Sequence, residues 1–219
     1  MGTDEIAALA AADPDLRVLR RARAPASVAV PRGALLISCC AIDGMRFRGE
    51  HRLRSLSLRP FRTDVHGMIV ETGTPRRWTA SRAPIEARSR SGQHVCDAEA
   101  ATLLADAELV VAHDARAIRP SVERSFALAA GRPWACSRHD LDWSEMGLEG
   151  GTLPDVLRQT GHFLDAGDPD SRVEGLLRLL AHRPTPLGGT LLGRLLKTAC
   201  RSTCKRGVRT AVYAAWAVG

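Results

Sequence analysis

The sequence predicts an α/β protein of three layers around a mixed β-sheet. Two observations lead to this prediction. Three strand-like segments come early in the chain, with turn residues between them, as in an antiparallel meander. Segments with helical and strand-like patterns then alternate through the rest of the chain. The chain has 219 residues, of which 45% are hydrophobic, so it is long enough to bury a sizeable core.

The first predicted element is a helix near the N-terminus. Asp13 can cap this helix, and Pro14 fits its first position, where a missing amide hydrogen costs nothing. We expect the helix to end before Pro25. It forms a helical lead over residues 1–30, ahead of a main domain predicted over residues 31–183.

The early strands are predicted from apolar runs. Residues 34–40 are continuously apolar, which is typical of a strand buried on both faces. Residues 52–58 and 68–71 predict the next two strands, and Gly44 is expected to turn the chain after the first. Residues 79–93 are polar, rich in Arg and Ser and without periodicity, so a loop is expected there.

The second half of the chain predicts alternating helices and strands. Capping residues, apolar stripes and short apolar runs define their order. They are a helix from Asp97, a strand over 109–112, a helix over 120–130, a strand over 134–137, helices over 153–159, 173–181 and 190–203, and a strand over 208–216. Pro184 and Pro186 mark a linker before a C-terminal extension of residues 184–219.

The charge of the chain is compatible with a polyanionic partner. The net charge is +7 and the sequence pI is about 9.7, as in many proteins that bind nucleic acid. Nearly all the basic residues are Arg, with only Lys197 and Lys205 as lysines. Such a bias can also arise from genome composition alone, so both explanations stay open.

The cysteines and the terminal segments favour a cytoplasmic protein. The cysteines are Cys39, Cys40, Cys96, Cys136, Cys200 and Cys204. None forms a C-x-x-C pair, and a zinc site would need such pairs or neighbouring histidines, so buried free thiols are expected. The N-terminus lacks the basic region of a signal peptide, and the apolar run of residues 210–218 is too short to span a bilayer. No membrane partner is therefore expected.

Several separated segments carry a resemblance to a known family. They are GQHV at residues 92–95, LVVAHDARAIRP at 109–120, WACS at 134–137, DW and GLEG within 142–150, and GHFLDAGD at 161–168. Together they resemble the DEDDh-type proofreading 3′–5′ exonucleases, the family of the epsilon subunit of bacterial DNA polymerase III. The match spans roughly residues 13–181 and implies an RNase H-like fold.

The departures from this family all fall on its chemistry. The family holds two Mg²⁺ or Mn²⁺ ions with acidic residues and uses a histidine as general base. The matching positions are Cys39, Ala41, Ile118 and Arg172 for the acids and Gly167 for the base. A thiol is a poor ligand for Mg²⁺, and the other side chains offer it no oxygen. The resemblance implies that these five residues converge on one cleft with no catalytic residue and no metal cofactor.

Other residues near the expected cleft leave alternatives open. Asp43, Asp168 and Asp170 could form a displaced metal site, although turn-forming residues in a solvated loop explain the last two more simply. His113 could contact a nucleotide or could be a structural histidine at a strand end. Arg172 could replace the metal charge and hold a phosphate, or could pair with a neighbouring carboxylate.

Three functions fit the sequence. The first is an inactive exonuclease homologue that binds single-stranded DNA or RNA, or a 3′ end, without hydrolysis. The second is a protein-interaction or regulatory scaffold, in which residues 184–219 dock a protein partner. The third is a residual metal-dependent 3′–5′ exonuclease that uses the displaced acids. Fold analogy alone does not choose among them.

Overall fold

The structure is a computed structural model that describes residues 35–47, 50–64, 66–80, 93–165, 167–184 and 188–205. The predicted N-terminal helix at Asp13 and the predicted strand over residues 208–216 lie outside these ranges. Within them, no helix is both long enough and apolar enough to cross a membrane.

Seven strands of the described residues form one mixed sheet. They are β1 (Leu35–Phe47), β2 (Glu50–Thr63), β3 (Ile69–Thr72), β4 (Arg76–Thr79), β5 (Gln93–His94), β6 (Leu109–Ala112) and β7 (Trp134–Cys136). Their order is β5-β4-β2-β1-β6-β7, and β3 pairs with β2. β1 to β3 pair antiparallel, as does β2 with β4, whereas β6 lies parallel to β1 and β7. The predicted meander is confirmed.

Helices cover both faces of this sheet. In the described residues they are α1 (Asp97–Asp106), α2 (Ala115–Ser125), α3 (Leu153–Gln159), α4 (Pro169–Ala181) and α5 (Leu191–Lys205), with short 3₁₀ turns at Ala127–Ala129 and Ser144–Met146. One hydrophobic cluster joins the sheet to α3, α4 and α5, and a second joins it to α1 and α2. The predicted fold class, a three-layer α/β fold with a mixed central sheet, is confirmed.

Helix α5 packs into the same core as the rest of the fold. The Thr190 hydroxyl caps its start by accepting a hydrogen bond from the Gly193 amide (3.0 Å), and it donates one to the carbonyl of Gly67 (2.8 Å). A Cβ on Gly193 would lie 2.7 Å from the carbonyl oxygen of His66, so only glycine permits this approach. The leucines of the first helical turns complete the first cluster: Leu191, Leu192, Leu195 and Leu196. The start of the predicted C-terminal extension is therefore part of the core.

Strand β1 is longer than the sequence predicts. Gly44 was expected to turn the chain, but β1 continues to Phe47 and stays paired with β2. The register shifts between Asp43 and Gly44, so the glycine lies at an irregularity within the strand. Asp43 pairs with Ser55 and Gly44 with Leu53, so the extra residue of this irregularity is Arg54 on β2, and Gly44 continues the strand.

Two helices begin earlier than predicted because an aspartate caps each of them. The Asp114 side chain accepts a hydrogen bond from the Ala117 amide (3.4 Å), so α2 begins at Ala115 and contains Pro120 instead of starting there. Asp168 caps α4, which therefore begins at Pro169 and not at residue 173. Both aspartates were available as sequence signals for these starts.

Candidate functional site

The first candidate region is the face of the sheet that lies under α4. Side chains alternate along β1, so Cys39 and Ala41 point towards α4 and pack in the first cluster, while Cys40 packs in the second. Burial raises the pKa of both thiols far above its usual value. The thiols therefore stay protonated at neutral pH and do not provide a ligand for Mg²⁺.

The start of α4 places two acidic residues against the sheet. Asp168 accepts a hydrogen bond from the Ser171 amide (3.0 Å), and Asp170 lies in the first turn and is only 5% exposed. These residues were expected in a solvated loop, and that expectation is wrong because the capping aspartate begins the helix there. Gly167, which the resemblance aligns with the general base, lies in the turn just before the helix.

A buried arginine neutralises both of these carboxylates. Arg77 on β4 is 5% exposed, and its Nη1 donates hydrogen bonds to Asp168 Oδ1 (2.9 Å) and Asp170 Oδ2 (3.3 Å). Burial acts to raise the pKa of Asp168, but bonds from the Ser171 amide and the guanidinium outweigh it, so this pKa is lowered. The position that a divalent cation would need beside these acids already holds a fixed positive charge.

A second arginine of the sheet continues this pattern along α4. Arg59 on β2 lies opposite Cys39 of β1 and forms an ion pair with Glu174 of α4. The other carboxylate oxygen of Glu174 accepts a hydrogen bond from Arg178 (3.1 Å). We call the five partners Arg59, Arg77, Asp168, Asp170 and Glu174 the α4 ion-pair network. It spans β2, β4 and α4.

The predicted site residues lie against different parts of the sheet. Arg172 of α4 donates a hydrogen bond to the Ile42 carbonyl of β1 (3.1 Å), so it lies beside the strand that carries Cys39 and Ala41. Ile118 packs instead against the second cluster and against the small cluster at the ends of β6 and β7. The convergence of all five family positions on one cleft stays a prediction.

Two further predicted residues lie near these elements. Asp43 is half-buried on β1, beside the register shift. His113 follows β6 and is 8% exposed; its Nε2–H donates to the Gly151 carbonyl (3.0 Å), which leaves Nδ1 to accept from the Ser137 hydroxyl (3.0 Å). Burial lowers the pKa of His113, so the ring is neutral at pH 7. These contacts match those of a structural histidine at a strand end.

A shallow cleft lies along the solvent side of α4. It has a volume of about 340 Å³, and its lining includes Phe163, Asp165 and Arg178. Phe163 is 76% exposed, and the other large hydrophobic side chain exposed in the described residues, Leu128, lies on the far element Ala127–Ala129. The lining thus combines an aromatic ring with one basic residue, Arg178, which is paired with Glu174, and with the carboxylates of Asp165, Asp170 and Glu174.

Sequence reasoning missed the arginines of the α4 ion-pair network and the exposed phenylalanine. Arg77 is next to Trp78 in a strand of four residues, too short for a clear alternation, so the strand itself was not predicted. Its partners lie 91 and 93 residues away along the chain, beyond any local signal. Phe163 lay within a segment quoted for the family resemblance, where an exposed ring had no separate signal.

The chain matches no protein-family model and no curated protein sequence. The resemblance to proofreading exonucleases thus stays a prediction that depends on the quoted segments. The site can be interpreted only from its own geometry and charge.

Proposed function

We propose that this protein binds single-stranded nucleic acid and does not hydrolyse it. The observation that carries the proposal is the exposed Phe163 ring at the cleft along α4, whose lining also includes Arg178. Proteins that bind single strands without sequence preference stack bases on aromatic rings and hold the backbone with basic residues.

The absence of hydrolysis is supported by the α4 ion-pair network. Two-metal hydrolysis requires two cations about 4 Å apart, held by carboxylates that also face the substrate. Asp168 and Asp170 instead bind the guanidinium of Arg77, and Glu174 binds Arg59. A metal ion would have to displace a buried arginine from its hydrogen bonds, which carries a large desolvation cost.

The charge of the chain supports a polyanionic ligand. The net charge is +7, and residues 81–92 alone contain three arginines and one glutamate. Arg172 lies at β1 beside the start of α4 and can add a guanidinium contact to a phosphate. Binding through such contacts is independent of sequence and falls steeply with salt, because counterions are released from the phosphates.

Binding of a fluorescent oligo(dT) and of oligo(U) to the full chain tests this proposal. Phe163→Ala is expected to weaken binding about tenfold, since stacking of a base on an aromatic ring contributes ~1–3 kcal/mol. Leu128→Ala is the matched control, because it removes another exposed apolar side chain from a turn that packs in the second hydrophobic cluster. Arg172→Ala is expected to weaken binding and to reduce its salt dependence.

The result also separates this proposal from the alternative scaffold function. Equal oligonucleotide affinities for the wild type, Phe163→Ala and Leu128→Ala would show that the cleft does not bind the bases. An affinity that does not change with salt would contradict phosphate binding. A chain that binds neither oligonucleotide at low salt would leave the protein-interaction function as the better proposal. In that function residues 184–219 dock a partner, although Leu191 and Leu192 are themselves part of the core.

A further inference from the structure

Three different ligand types meet where β6 and β7 end. Asp114 lies two residues after β6, at the cap of α2. Cys136 is the last residue of β7, and His139 lies in the turn that follows. One ligand atom of each lies within 4.8 Å of the other two, and the described residues contain one such group. In α/β sheets, the crevice beyond the carboxyl ends of parallel strands is a preferred position for ligands.

The backbone holds two of these residues in a fixed arrangement. Ala112 and Cys136 are paired in the parallel register of β6 and β7, and the Ser137 amide donates to the Ala112 carbonyl (3.1 Å). The turn is closed by a hydrogen bond from the Asp140 amide to the Cys136 carbonyl (2.8 Å), and the Asp140 carboxylate accepts the Cys136 amide (2.7 Å). This places the thiol and the imidazole of a C-x-x-H sequence on the same tight turn.

We infer that Asp114, Cys136 and His139 form a binding site for a zinc-class divalent transition-metal ion. Zn²⁺ binds thiolate sulfur, imidazole nitrogen and carboxylate oxygen in tetrahedral geometry. Mg²⁺ avoids sulfur, so this donor set selects against it. The negative charges of the thiolate and the carboxylate balance the charge of the ion, and three protein ligands leave the fourth position for water or another ligand.

Metal binding requires small, defined changes at each ligand. The thiol of Cys136 donates a hydrogen bond to the His113 carbonyl (3.3 Å). On binding, the S–H bond breaks, a sulfur–metal bond forms, and the proton passes to solvent. Asp114 keeps one oxygen on Arg138 (3.0 Å), while its other oxygen lies 4.0 Å from His139 Nε2. That separation closes to about 3.4 Å in a tetrahedral site, and rotation of the exposed His139 side chain can supply this movement.

Titration of the reduced, metal-free full chain with Zn²⁺ and with Co²⁺ tests the site. One equivalent of Zn²⁺ is expected to bind in competition with a chromophoric chelator, and Co²⁺ is expected to give a thiolate charge-transfer band. Cys136→Ser is expected to abolish that band, and Cys136→Ser and His139→Ala each to weaken Zn²⁺ binding by about 100-fold or more. Asp114→Asn should weaken binding while preserving the helix cap, since asparagine caps equally well.

Cysteines elsewhere in the chain provide the matched controls. Cys96→Ser changes an exposed thiol distant from the cluster in sequence and should leave binding unchanged, as should the Cys200→Ser/Cys204→Ser double variant. The inference is overturned if neither ion binds the wild type, or if binding survives His139→Ala in a protein that folds. It is equally overturned if the Cys200→Ser/Cys204→Ser variant loses binding while Cys136→Ser retains it.

Discussion

Acidic side chains lie close to the sheet both at the start of α4 and at the ends of β6 and β7, but their partners differ. At α4, Asp168 and Asp170 are bound by the buried guanidinium of Arg77. At the end of β6, Asp114 meets a thiol and an imidazole, and its arginine partner, Arg138, is half-exposed. In the first region the guanidinium of Arg77 supplies the positive charge. In the second region the thiol, the imidazole and the carboxylate have lone pairs that can bind a cation.

This difference shows that carboxylates alone do not define a cation site. An arginine that binds one buried and one half-buried carboxylate has the same role in the charge balance as a metal ion, and it cannot lose its proton. Asp168 and Asp170 at the start of α4 are therefore held in ion pairs. The group of mixed chemistry at the ends of β6 and β7 instead has the sulfur, nitrogen and oxygen donors that Zn²⁺ binds.

The largest effect is expected from removing the cation of the first region. Arg77→Met leaves Asp168 and the buried Asp170 without their counter-charge, which should lower the free energy of unfolding by about 3–5 kcal/mol. Arg76→Met is the control, because Arg76 is more exposed and lies 3.7 Å from its partner Glu99. It should cost less than about 1 kcal/mol. Urea unfolding of both variants measures the difference. Equal losses of unfolding free energy would show that the ion pairs of Arg77 stabilise the fold no more than an exposed ion pair does.

An intermediate effect is expected at His113, beside the second region. His113→Phe removes hydrogen bonds to the Gly151 carbonyl and the buried Ser137 hydroxyl, at a cost of about 2 kcal/mol. In the metal-free protein, His139→Phe at an exposed position should change the free energy of unfolding by less than about 0.5 kcal/mol. Oligonucleotide affinity should be the same for folded His113→Phe and the wild type; a specific loss of affinity would instead make His113 a nucleotide contact.

The smallest effect is a pH dependence at Asp168. Asp168→Asn keeps the helix cap but loses the charge that binds Arg77, so it should cost about 1 kcal/mol at neutral pH. The pKa of Asp168 is lowered in the folded state, so its stabilisation is complete above the usual value of 3.8 and disappears as the pH falls through the folded pKa. Unfolding curves of the variant and the wild type should therefore converge at acid pH. A difference that persists there would exclude the charge as its cause.

Local signals in the sequence were sufficient for much of the fold. The strand predicted over 109–112 and the helix predicted over 153–159 have the bounds that the structure has for β6 and α3. The early starts of α2 and α4 were also encoded locally, by the capping residues Asp114 and Asp168. The helices were instead predicted to begin at Pro120 and at the leucine stripe from residue 173. The strands β4 and β5 were not predicted, because they are too short for a repeating hydrophobic pattern to be recognised.

The candidate site was less predictable because its contacts join distant parts of the chain. Buried Arg77 and its two aspartates are about ninety residues apart, and nothing near any of them indicates the pairing. The metal-ligand group combines a C-x-x-H turn, visible in the sequence at Cys136 and His139, with Asp114 from a neighbouring strand end. The spacing of Cys136 and His139 was a usable signal for a metal site, but a metal site was excluded because the cysteines form no C-x-x-C pair.

Incubation of the purified full chain with a labelled single strand, and with a duplex carrying a 3′ overhang, tests most directly whether the α4 region can hold catalytic metal ions. With Mg²⁺ or Mn²⁺ present, we expect no shortening of either substrate, because Arg77 occupies the place of a cation. Metal-dependent shortening that is lost in Asp168→Asn or in Asp43→Ala would contradict this expectation and establish a displaced catalytic site.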